Sequence, residues 1–122
     1  MFDLVPEEAR LLLDIAMMAV GAGRFKSAES ILSALESYRP DSEQLDTARM
    51  ILAISKGEFE GAVAYADTQA LVRHPESAMV KAFKAMALVR MGRIEEARLP
   101  IKEAAEQTFD PVASQLAKDM LV

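Results

Sequence analysis

Residues 23–28 read Gly23-Arg24-Phe25-Lys26-Ser27-Ala28, and the same pattern returns twice, as Gly57-Glu58-Phe59-Glu60-Gly61-Ala62 and Gly92-Arg93-Ile94-Glu95-Glu96-Ala97. Each phrase is glycine, a charged residue, a large apolar residue, two variable residues and alanine. The glycines stand 34 residues apart (57 − 23) and then 35 apart (92 − 57). Glycine just past an apolar-periodic segment is the signature of a helix C-terminus, where the chain passes through a left-handed conformation that other residues resist. A regular return of such ends implies a chain built from helix pairs of equal length.

The stretches between the glycines are rich in Ala, Leu, Met, Glu, Lys and Arg, all good helix formers. No alternating apolar/polar run suggests a strand. Seven helices follow from the pattern, over about residues 7–22, 25–38, 42–56, 59–72, 76–91, 94–107 and 111–121. Asp41 or Ser42 is placed to cap the third helix and Asp110 the seventh, where Pro111 presets the first helical φ. Pro100 falls inside the sixth helix, so a kink or irregularity is expected there. The expected fold class is all-α.

Composition limits the function. The chain has 122 residues, no cysteine, and 14 basic against 19 acidic residues, a formal charge of −5. One domain is expected, spanning residues 1–122. Without cysteine there is neither a disulfide nor a thiolate metal site. The acidic balance argues against a nucleic-acid partner, since phosphate backbones are met by basic surfaces. The longest charge-free run, Ile15 to Gly23, is far shorter than the roughly 18 residues a membrane span needs, so no membrane insertion is expected. The first residues, Met1-Phe2-Asp3-Leu4-Val5-Pro6-Glu7-Glu8, do not look like a secretory signal, and a cytoplasmic location is expected.

Catalytic chemistry finds no constellation. His74 is the sole histidine and lies in the connection Arg73-His74-Pro75; a metal site needs further ligands at fixed spacing. Glu7-Glu8 and Glu95-Glu96 open helices, where carboxylates meet the positive end of the dipole, and are read as structural. No enzyme, metal or cofactor is expected. What stands out instead is apolar content, 52% of residues with eight methionines, on a small chain. Methionine fits irregular apolar surfaces and is frequent where one protein accepts another.

A period of about 34 with glycine, a large apolar residue and alanine at these offsets resembles the tetratricopeptide repeat. The resemblance implies three tandem helix hairpins, about 9–42, 43–76 and 77–110, with a C-terminal capping helix at 111–121, in a right-handed α-solenoid. Ala28, Ala62 and Ala97 take the position where the two helices of a hairpin touch. The sequence departs from the family pattern in lacking the large aromatic early in the first two A helices; Leu12 and Asp46 stand near that place. His74 takes the proline position of the second unit, with Pro75 one step late. In the third unit helix A fits best when shifted by one residue, with Val80 and Phe83 packing inward.

Such repeats bind along the concave face of their A helices. Carried onto this chain, the resemblance implies a partner groove formed by Leu13, Met17, Val20, Ile51, Ile54, Met79, Met86 and Val89, with Arg10, Gln44, Thr47 and Ala82 alongside. This wall is mostly apolar and lacks the Lys and Asn rows that repeat proteins use to clamp acidic chaperone tails. Over residues 10–121 the chain is most similar to the small tetratricopeptide co-chaperones of type III secretion needle proteins. It resembles more loosely the Hrp-type repeat proteins of plant-associated bacteria. The first resemblance implies a chaperone that holds the amphipathic helix of a needle-type subunit in its groove, with a second small helical chaperone as a further partner. A general scaffold or regulatory module for protein–protein interaction is one competing expectation, and a protein that self-associates into a homo-oligomer is another.

Overall fold

The computed structural model describes residues 6–106 and 110–120, and among these every regular element is helical, without a strand. Helix α1 is Pro6–Gly21, α2 Phe25–Tyr38 and α3 Glu43–Ser55. Helix α4 begins as Phe59–Tyr65, passes through a π-helical turn at Ala66–Ala70 and ends with Leu71–Arg73. Then come α5 Ala78–Arg90, α6 Ile94–Glu106 and α7 Pro111–Met120. These boundaries fall within two residues of the expected ones.

Main-chain hydrogen bonds explain the repeated glycines. Gly23, Gly57 and Gly92 have φ of 76°, 78° and 77°. After each glycine the next amide reaches back five residues: Arg24 N–H donates to Ala19 O, Glu58 to Ala53 O and Arg93 to Leu88 O, at 2.8, 2.8 and 2.9 Å. The glycine amides donate to Val20, Ile54 and Val89. This paired 6→1 and 5→2 closure satisfies carbonyls that would otherwise end unpaired. At the other ends, Ser42 Oγ accepts from Leu45 N–H, Ser77 Oγ from Val80 N–H and Asp110 Oδ1 from Ala113 N–H, capping α3, α5 and α7. Pro100 is buried inside α6, which carries through from Ile94 to Glu106 rather than breaking.

Helices α1 and α2 pack against each other, as do α3 with α4 and α5 with α6. Odd-numbered helices also touch in sequence, α1 on α3, α3 on α5 and α5 on α7. The alanines of the repeated phrase, Ala28, Ala62 and Ala97, are fully buried. A larger side chain at any of them would have no room without parting the helices. The core divides into a portion under α1–α3, around Ala16, Leu32 and Leu45, and a portion shared by α4–α7, around Ala85, Leu88 and Ile101. Between them Met50, Ala66, Ala70 and Val80 form a smaller cluster, with Phe83 against it. Val80 and Phe83 thus pack inward as expected.

The π turn accounts for the odd spacing. The residues that follow α2 and α4 have nearly the same backbone, Arg39 with φ −140°, ψ 81° and His74 with φ −132°, ψ 72°. From Phe25 to Arg39 is 14 residues, but from Phe59 to His74 is 15. The additional residue therefore lies inside α4. A single π turn is how a helix takes up one extra residue without breaking. Asp67, Thr68 and Gln69 stand exposed on its outer side, while Ala66 and Ala70 face the core. The one-residue shift seen from sequence at α5 has its origin upstream, in α4.

Candidate partner groove

Three odd-numbered helices supply a common apolar surface. Leu13 and Met17 from α1, Ile51 from α3 and Met79 from α5 line one open cavity of about 320 Å³. Ala48 and Thr47 complete its floor, and Glu43, Gln44 and Asp110 supply polar lining. Leu13, Met17, Ile51 and Met79 are all half-buried. Their inner sides touch the core while their outer sides meet the cavity. Two further cavities adjoin it. One, of about 480 Å³, shares Leu13 and Gln44 and extends over Arg10 and Arg39. The other, of about 460 Å³, shares Glu43 and Asp110 and extends over His74 and Glu76.

The remaining expected groove residues lie elsewhere. Val20 is buried among Ala16, Ala28 and Leu32 beneath α1, so it offers nothing to a partner. Ile54 is half-buried and packs toward the α4–α7 core. Met86 is half-buried outside the cavity, and Val89 is exposed near the C-terminus of α5. The methionines divide likewise: Met50 is fully enclosed, whereas Met18 is 73% exposed.

A buried polar network stands behind the groove. Asp46 on α3 has no exposed surface, yet its carboxylate is fully engaged. It accepts from the Tyr65 hydroxyl at 2.6 Å and from Arg73 Nη2 and Nε at 2.5 and 3.3 Å. Burial, reinforced by the adjacent carboxylate, pushes the Tyr65 hydroxyl above its ordinary range, and the bond to Asp46 raises Arg73. An ionised carboxylate inside a protein is tolerated only when paired and hydrogen-bonded. These three bonds let Asp46 stay buried in α3. Ser77 Oγ donates to Glu43 Oε1 at 2.6 Å, tying the start of α5 to the start of α3. His74 Nε2 donates to the Asp41 carbonyl at 2.7 Å, joining the connection after α4 to the one before α3. Among the described residues, no group of His, Asp and Glu is arranged to hold a metal ion.

Residues 5–121 match the model of the family described as Bacterial type III secretion protein (HrpB1_HrpK). The chain belongs to this family. A comparison with curated proteins gives no match. Membership makes the chain a bacterial type III secretion protein, and it favours the looser of the two resemblances, the one to Hrp-type proteins. Within this family member, no helix among the described residues is long and apolar enough to cross a membrane. The features that sequence reasoning missed are the Asp46–Tyr65–Arg73 network and the π turn. The 35-residue step between Gly57 and Gly92 is the signal that could have found the second.

Proposed function

We propose that this type III secretion protein is a non-enzymatic chaperone that seats an amphipathic helix of a needle-type subunit against the surface of α1, α3 and α5. On this reading the helix pairs are tetratricopeptide-like hairpins in a solenoid closed by α7, and the surface is its concave side. The observation that carries the proposal is the convergence of Leu13, Met17, Ile51 and Met79, from three helices, on one open apolar cavity. Mechanism is burial: while the assembling face of the subunit is covered, it cannot polymerise. Each well-buried aliphatic anchor contributes about 1.5–3 kcal/mol before ordering costs. Sequestration before export would place the protein in the cytoplasm.

The test is capture of a co-expressed needle-type subunit by Met17→Glu and Ile51→Glu variants. Both side chains reach the surface, so the variants should keep wild-type helicity while capture is lost. Wild-type capture by both would remove the proposal. A second reading is self-association, favoured by the stripe Leu11, Ile15 and Met18 on the outer side of α1, whose first member is 59% exposed. Light scattering checks it: a monomer at high concentration excludes that reading.

A further inference from the structure

We infer that the occupant of this groove is an amphipathic helix of opposite charge at its two ends, its basic end over Glu43 and Asp110 and its acidic end over Arg10 and Arg39. The inference rests on the groove reading above and adds the charge pattern and direction of the ligand.

The three adjoining cavities form a path. Leu13 and Gln44 are common to the cavity over Arg10 and Arg39 and the apolar one; Glu43 and Asp110 are common to the apolar one and the cavity over Glu76. The path therefore runs from cations, across aliphatic side chains, to carboxylates. Among the described residues none of the ion pairs engages Arg10, Arg39, Glu43, Glu76 or Asp110. Charges of the opposite kind along the path are outnumbered or already committed. Asp14 is a single acid beside two arginines, and Arg73 is held by Asp46. A helix also carries roughly half a positive charge at its N-terminus and half a negative one at its C-terminus. Its N-terminus accordingly belongs at the Asp110 end. Complementary ends set direction and partner choice, while the apolar middle supplies most of the affinity.

Three synthetic amphipathic peptides sharing one Leu/Ile stripe test this. One carries Lys at its N-terminal end and Glu at its C-terminal end, one Lys at both ends, one Glu at both. The bipolar peptide should bind tightest, by about 5-fold over each of the others at low salt, with the difference shrinking at high salt. Arg10→Glu with Arg39→Glu should transfer the preference to the doubly basic peptide. A spin label on the Lys end of the bipolar peptide should broaden the amide signals of Ser77 and Ala113 rather than those of Leu35 and Tyr38. Equal binding of all three peptides, abolished by Ile51→Glu, overturns the charge pattern and leaves the groove. Broadening at Leu35 and Tyr38 overturns the direction. Failure of every peptide to bind the unmodified protein overturns both.

Discussion

Arg73, the last residue of α4, meets Asp46, in the first turns of α3, with 2.5 Å between Nη2 and Oδ1, and the aspartate has no surface left for water. The arginine is partly exposed, so the pair is not sealed, but its carboxylate end is. Removing the cation strands a buried anion. Arg73→Ala should therefore destabilise the fold by about 3 kcal/mol, at the low end of what losing a buried partner costs. The urea midpoint measures it. A loss below a few tenths of a kcal/mol would show that Tyr65 alone suffices for Asp46.

The Tyr65 hydroxyl in the same network gives a pH dependence. Its folded pKa is raised above the ordinary 10.0, first by burial and then by Asp46. The folded state thus holds the phenol proton after the unfolded chain has released it. Stability from this group is complete below pH 10 and falls as pH rises beyond it. Urea midpoints measured at about pH 9 and about pH 11 should show the decline, and Tyr65→Phe should make it shallower.

Two glycines in one phrase separate backbone strain from helix propensity. Gly57 has φ +78° with open space where a Cβ would stand, so Gly57→Ala meets only the left-handed penalty, about 1–2 kcal/mol. Gly61 is helical, and a methyl there makes ordinary contact at 3.8 Å with Glu58 Cβ. Gly61→Ala should stabilise by about 0.5–1 kcal/mol. Thermal melting of the two variants should shift in opposite directions.

Deleting Thr68 tests the π turn. The residue is exposed, and without it the step from Phe59 to the end of α4 matches that of α2. Leu71 and Arg73 should keep their places, and the melting temperature should move by only a few degrees, about 1 kcal/mol. Deleting Ser33, equally exposed but in regular α2, rotates Leu35 out of the core and should cost several times as much. Similar losses for both deletions would mean that the π turn is not where the extra residue is stored.

The sequence made the helix ends legible because those ends are local. Gly23, Gly57 and Gly92, and the caps at Ser42 and Asp110, are recognised from a few neighbouring residues. The groove was legible only in part. Met17 and Ile51 line the cavity, but α5 buries Ala78, Val80, Ala82, Ala85, Ala87 and Leu88 on several sides. Such a helix has no phase to read, which is why Met79 fell on the cavity and Met86 and Val89 did not. The Asp46 network was out of reach for another reason: its partners lie 19 and 27 residues away, and no local pattern connects an acid in one helix to a phenol and a guanidinium in the next.

The three glycine-ended helices close with main-chain atoms alone, so the angle at which each chain segment reverses owes nothing to side-chain identity. Exterior residues beside these three turns can then be exchanged while the geometry of each persists. The three glycines, with the buried alanines that follow them, are the positions on which those turns depend.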